Sequence, residues 1–204
     1  MSGATFNPSL VSLAGSALCC FFTGIAVKLM DDYLDAHFDQ MAGKRTWAGE
    51  LGEAALPYAL AALSLGAAFN PAWSLTLFWA SYAMGMRGDM TRPLSLGLTG
   101  WQEALVLGVF ALLVFGWKEV FTSWGAIFVL QAIDDLRDER EDRLTSAGNW
   151  AVQWGVVETG LTGVLMAIIL ARLDLWKLVL VLSAGLVAAA VQESKAVGGG
   201  QASG

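Results

Sequence analysis

The sequence predicts an all-α integral membrane protein with about seven transmembrane helices in two parallel pseudo-repeats, and three observations carry that prediction. The 204 residues are 56% hydrophobic and 15% charged, with a mean hydropathy of +0.57, which is too apolar for an ordinary soluble domain. Apolar runs approaching the ~20 residues that cross ~30 Å of hydrocarbon recur along the chain. One aspartate pattern, D-D-x-x-D-x-x-x-D, is written twice, as DDYLDAHFD at Asp31–Asp39 and DDLRDERED at Asp134–Asp142. Each copy sits where an apolar run meets polar sequence.

The spans fall at roughly 9–30, 52–69, 71–87, 101–117, 119–135, 150–171 and 175–192. The first has no basic leader and no small-residue cleavage site, so it reads as a retained membrane helix. Asn70-Pro71 and Leu173-Asp174 supply tight turns between neighbouring spans. The third and fourth spans are short, which leaves room for a re-entrant element. Residues 1–192 read as one membrane domain. Residues 193–204, which include the GGG-containing stretch Val197–Gly204, read as a flexible tail.

Orientation follows from the cations. Seven spans with the N-terminus outside put 31–51, 88–100 and 136–149 on one side, carrying Lys44, Arg45, Arg92, Arg137, Arg140, Arg143 and, in the tail, Lys195, with Arg87 at the boundary. The opposite side has Lys118 and Arg172, with Lys177 nearby. The positive-inside rule then predicts a multi-pass protein of the cell membrane with its aspartate motifs facing the cytoplasm.

Net charge is −6, but the acidity is concentrated in the two signature segments rather than spread over a surface. No basic stripe exists, which argues against a nucleic-acid partner. Cys19 and Cys20 are adjacent in an apolar run and read as buried small hydrophobes. His37 lies off the aspartate stripe and reads as a helix-surface residue.

Sliding the chain on itself by 103 residues superposes more than the aspartates: Trp47 meets Trp150, Gly52 meets Gly155 and Trp73 meets Trp176, without a gap. This predicts pseudo-repeats at about 9–100 and 112–192. Four spans separate the first signature from the second, and an even step preserves orientation. The repeats are therefore parallel, and both aspartate faces emerge on one side.

On a helix, Asp32, Asp35 and Asp39 share a stripe, as do Asp135, Asp138 and Asp142. The leading Asp31 and Asp134 lie about 100° round the helix and read as direct ligands or as supporting groups. Carboxylates so placed repel one another unless cations intervene. Mg²⁺, a hard ion that takes one or two carboxylates together with substrate phosphate, fits the pattern. Glu158, inside the sixth span, should face a cavity or a partner. Glu103 reads as an acid complementing a helix N-terminus. The tryptophans read as interfacial anchors, with Trp79 and Trp124 as the candidates for lining an apolar ligand or shielding a cation.

These residues resemble the UbiA-type intramembrane prenyltransferases. The segment AIDDLRDEREDRLTSAGNWAVQWG is similar to that family's second motif. DDYLDAHFDQMAGKRTWAGELG is similar to the same pattern and carries Gly43-Lys44-Arg45-Thr46. Tyr82-Ala-Met-Gly-Met-Arg87 resembles a reduced form of the family's middle cap element, with Ala83 and Met86 where proline and lysine are usual. The resemblance implies a helical bundle that binds Mg²⁺ and a prenyl diphosphate under a cytoplasmic cap. It assigns one ion to Asp32, Asp35 and Asp39 and a second to Asp135, Asp138 and Asp142, with Asp31 and Asp134 beside them. Lys44, Arg45, Tyr82 and Arg87 are the implied diphosphate contacts. Arg137, Arg140 and Arg143 read equally as local ion-pair partners of the neighbouring acids.

The expected activity is Mg²⁺-dependent transfer of a prenyl group to a small acceptor, aromatic or lipid, whose identity the sequence leaves open. Two alternatives stand beside it: a membrane terpene cyclase using the prenyl diphosphate alone, and a non-catalytic relative that binds a lipid diphosphate or a protein. A CDP-alcohol phosphotransferase is excluded, because neither segment carries the glycine and Ala-Arg of the D-x-x-D-G-x-x-A-R core.

Overall fold

The computed structural model describes residues 10–36, 46–84, 86, 97–145 and 148–200, excepting the side chains of 141, 142, 144, 145 and 191–200. The described residues form helices joined by short turns: α1 (Leu10–Leu34), α2 (Trp47–Leu51), α3 (Ala55–Phe69), α4 (Pro71–Met84), α5 (Gly100–Phe115), α6 (Trp117–Thr145), α7 (Trp150–Gln153), α8 (Val156–Leu173) and α9 (Leu175–Gly200). A single 3₁₀ turn, Gly52–Ala54, links α2 to α3. The chain is thus all-α, as expected from its composition.

Among the described residues, three stretches are long and apolar enough to cross a membrane: Leu10–Leu34, Trp47–Phe69 and Val156–Leu173. Gly100–Phe115 and Leu175–Ala190 are shorter apolar helices. Large apolar side chains point outward along them, among them Phe110, Leu113, Val157, Leu161 and Leu165. Water would penalise that surface, whereas lipid tails would not.

The turns have local causes. Asn70 Oδ1 accepts the N–H of Trp73 (3.1 Å), with Pro71 at the first helical position of α4, where its missing N–H has no partner to lose. Asp174 Oδ1 accepts the N–H of Lys177 (3.0 Å) at the start of α9. These two caps lie 104 residues apart, not 103. The structural register therefore slips by one residue within the second half, and Trp73 and Trp176 are not equivalent. Trp73 lies beneath the Lys177 ammonium, whereas Trp176 is exposed.

One expected span is corrected. The stretch 150–171 is not continuous, because Gly155 sits at φ 111°, in a region that only glycine enters without strain. It breaks the chain between α7 and α8. Glu158 then falls in the first turn of α8, exposed at the helix end, where an acid complements the dipole. α9 continues as helix to Gly200, into the stretch 193–204 read as a tail. Residues 201–204 lie outside the described residues.

Helices α4 and α9 hold the bundle together. α1 packs on α3, α4 and α9, and α6 packs on α4, α5, α7, α8 and α9. Among the described residues, the two signature-bearing helices α1 and α6 do not pack on each other. They face one another across a gap that α4 and α9 close from the sides.

Candidate functional site

The site is built from two matching anchors. Near the end of α1, Asp32 is 3% exposed. Its Oδ2 accepts the backbone N–H of Trp47 (3.0 Å), and its Oδ1 meets Lys28 Nζ at 2.8 Å. On α6, Asp135 is 6% exposed. Its Oδ2 accepts the backbone N–H of Trp150 (2.7 Å), and its Oδ1 accepts Gln131 Nε2 (2.9 Å). Each carboxylate thus ties down the first N–H of a short helix 15 residues on, at the end where backbone donors are unsatisfied.

Both short helices are capped alike. Thr46 Oγ1 accepts from Gly49 N–H (3.2 Å), and Asn149 Oδ1 accepts from Val152 N–H (3.1 Å). Asn149 also donates through Nδ2 to the Asp135 carbonyl (2.8 Å). Gly52 and Gly155, one following each short helix, both take positive φ. Up to this point the 103-residue register holds residue by residue.

Asp32 and Asp135 thus have both carboxylate oxygens engaged within the protein. The leading aspartates occupy the other side of each helix. Asp31, Asp134 and Asp138 line a cavity of about 800 Å³ between α1, α4, α6 and α9, together with Lys28, Gln131 and Arg137. Ser81 and Met86 complete the polar end. The walls then become apolar or small, through Val27, Gly24, Ala184 and Ala188, down to Cys20, Leu77, Ile127 and Val181.

Other site residues of the sequence reading fall elsewhere. Asp35 is exposed just beyond α1, its N–H bonded to the Asp31 carbonyl (3.0 Å), and it is not among the residues lining the cavity. Tyr82 donates its hydroxyl to Glu103 Oε2 on α5 (2.7 Å) and also stands apart from the cavity lining. Arg143 pairs with Glu139 four residues earlier, the local pairing expected of such a run. Asp39, Lys44, Arg45, Arg87 and His37 lie outside the described residues, as does the side chain of Asp142. Trp79 and Trp124 pack ring to ring at 5.2 Å and line a second, apolar groove of about 550 Å³ on the α5 and α8 side, not the aspartate cavity.

Among the described residues, no three His, Cys, Asp or Glu side chains gather as a ready-made metal cluster. The donor set nevertheless suits Mg²⁺. Asp134 and Asp138 stand one turn apart on α6, where like charges repel, and Asp31 faces them from α1. Mg²⁺ needs only one or two carboxylates, completing its shell with water and phosphate oxygens.

Two residues escaped sequence reasoning. Lys28 places an ammonium at the cavity's polar end, and the same 103-residue shift that aligned the aspartates would have paired it with Gln131, also four residues before its aspartate. Lys177 is wholly buried. It reaches Glu119 Oε2 (3.0 Å), the Glu119 carbonyl (3.1 Å) and Thr122 Oγ1 (3.0 Å), and lies 5.1 Å above the Trp73 ring. This cluster is at the end of the bundle away from the aspartates, and no local motif announces it. No protein-family model, no curated protein and no solved structure matches the chain.

Proposed function

We propose that the chain is an Mg²⁺-dependent prenyltransferase of the UbiA type, a multi-pass membrane enzyme with its aspartate end toward the cytoplasm. The observation that carries this reading is the cavity itself. Carboxylates from both copies of the signature meet at its polar end, and an apolar interior continues beneath them. That division suits an amphiphile with an anionic head and a hydrocarbon tail.

In this reading Asp31, Asp134 and Asp138 would hold Mg²⁺, which supplies charge neutralisation for the departing diphosphate. Lys28 and Arg137 offer donors to the phosphate oxygens, the lysine as a point charge and the arginine as a fork. Asp32 and Asp135 position the short helices α2 and α7 beside the mouth. The C1–O bond of the allylic diphosphate breaks, with the electron pair leaving on oxygen. An electron-rich acceptor atom bonds to C1 and then loses its proton.

Purified protein supplied with Mg²⁺, an allylic prenyl diphosphate and a panel of aromatic and lipid acceptors should release diphosphate and form a prenylated acceptor. Hydrocarbon released without any acceptor would replace this reading with an intramolecular cyclase. Tight Mg²⁺-dependent diphosphate binding without turnover across all donors and acceptors would leave a binding protein.

A further inference from the structure

The depth of the cavity bears on the substrate, if the prenyl diphosphate reading above holds. We infer that the site takes a short isoprenoid donor, of two to three isoprene units, because the cavity ends on a packed floor backed by buried polar pairs.

Lys28 and Gln131 mark the level of the head group, and Cys20 is the deepest α1 residue in the cavity wall. Eight residues of helix separate Lys28 from Cys20, about 12 Å at ~1.5 Å per residue. On α9 the wall runs from Ala189 to Val181, the same span. An extended isoprene unit places four carbon–carbon bonds of about 1.5 Å along the chain and adds about 5 Å. The apolar depth therefore accommodates two units fully and a third in part.

The floor is part of the core, not an open channel. Cys20, Leu77, Ile127 and Val181 belong to one buried apolar cluster. One step further from the mouth, Thr76 and Ser123 share a hydrogen bond of 2.6 Å, and both are completely buried. Beyond them come Thr122, Glu119 and Lys177. A hydrocarbon tail driven deeper would separate buried polar partners without replacing their bonds, which is unfavourable. Above the floor α1 and α9 present small residues, Gly24, Ala184, Gly185 and Ala188, alongside Val27 and Leu130.

The test measures binding, which needs no acceptor. Protein in phosphatidylcholine nanodiscs with Mg²⁺ is titrated with inorganic diphosphate and with prenyl diphosphates of two, three, four and nine units. Burying each added unit should tighten binding by at least about tenfold up to three units, with no gain at four and weaker binding at nine. Leu77→Ala should move the optimum to a longer chain, and Val181→Phe should move it to a shorter one. Unchanged affinity for inorganic diphosphate shows that each variant is folded with its head site intact. A nine-unit donor that binds as tightly as the three-unit one, with the ranking unchanged in both variants, overturns the inference and leaves prenyl diphosphate binding standing. Failure of inorganic diphosphate and every prenyl diphosphate to bind removes the proposed function, and the inference with it.

Discussion

The two halves of the chain perform the same anchoring task with different chemistry. In the first, Asp32 holds the Trp47 N–H while paired to a cation, Lys28. In the second, Asp135 holds the Trp150 N–H while paired to a neutral amide, Gln131. At the opposite end of the bundle the arrangement reverses. There the first half joins Thr23 to Ser74 through neutral hydroxyls (2.9 Å), and the second half buries Lys177 against Glu119. Each half thus keeps a buried or half-buried cation at a different end. At the aspartate end only the first half's anchor carries a cation, while the second half supplies its positive charge from Arg137 on the α6 wall. Geometry repeats while charge does not: the two anchors differ by a cation, and the far end is closed by the Lys177–Glu119 pair.

The largest effect should come from breaking the charged closure. Glu119→Ala leaves Lys177 buried against a carbonyl, a hydroxyl and the Trp73 ring but without the carboxylate it touches, and loss of one partner from a buried pair costs about 3 kcal/mol or more. On the first-half side of the same end, Ser74→Ala removes two neutral hydrogen bonds, from Thr23 and to the Leu63 carbonyl, each worth about 1 kcal/mol. Chemical unfolding in detergent micelles should order the two this way. Equal losses would mean that the ion pair adds nothing beyond the hydroxyl pair.

Next in size is the head-group site. Asp138→Ala removes a carboxylate from the α6 wall without touching the Asp135 anchor. Turnover of prenyl diphosphate should fall by at least about 100-fold, the upper end of what even outer-shell losses at metal sites cost. Thermal stability should stay near that of the parent protein. Full activity would exclude Asp138 from the head-group site.

Much of this architecture was legible in the sequence, for physical reasons. Apolar runs are long and helix turns are locally encoded, so Asn70-Pro71 and Leu173-Asp174 showed where the chain reverses. The doubled signature showed that two helices share one pattern. The side of each helix that faces the cavity was not legible. Asp32, Asp35 and Asp39 share a stripe, but Asp32 is committed to the Trp47 N–H, a partner 15 residues away that periodicity cannot reveal. Lys28 lies inside the first apolar run, and its role rests on an i,i+4 relation to Asp32 that Gln131 and Asp135 repeat. Lys177 was counted among cations near the opposite face, because burial depends on α6 and α4 closing over it, which is a tertiary event.

A smaller effect should follow from equalising the charge of the two anchors. Lys28→Gln installs in the first half the residue type that the second half uses, preserving a donor to Asp32 while deleting the positive charge. Stability should change little. Binding of inorganic diphosphate in the presence of Mg²⁺ should weaken about tenfold, the lower range for loss of a charged contact. The reciprocal Gln131→Lys should offset that loss in the double variant. Unaltered diphosphate affinity in Lys28→Gln would show that the charge difference between the anchors does not reach the ligand.

The finest test concerns the anchors themselves. Asn in place of either aspartate keeps an oxygen able to accept the Trp N–H, and the Gln131 amide can turn its oxygen toward the new amide group. Asp135→Asn therefore gives up only the charge on the acceptor and should cost about 1 kcal/mol. Asp32→Asn retains the same hydrogen bond yet removes the nearer of two carboxylates paired with Lys28, leaving Asp31 at 4.0 Å, at a site where the Asp32 carboxylate is 3% exposed. It should cost about 1 kcal/mol more, because bonds to charged groups exceed neutral ones by roughly that amount. Adding Lys28→Gln to Asp32→Asn builds in the first half the amide–amide anchor that Asp135→Asn leaves in the second, so the double variant should regain most of the difference. Thermal unfolding of the four proteins gives the coupling directly. If Asp32→Asn and Asp135→Asn cost the same, the cation is a bystander, and the functional difference between the halves must lie in Arg137 on the other wall.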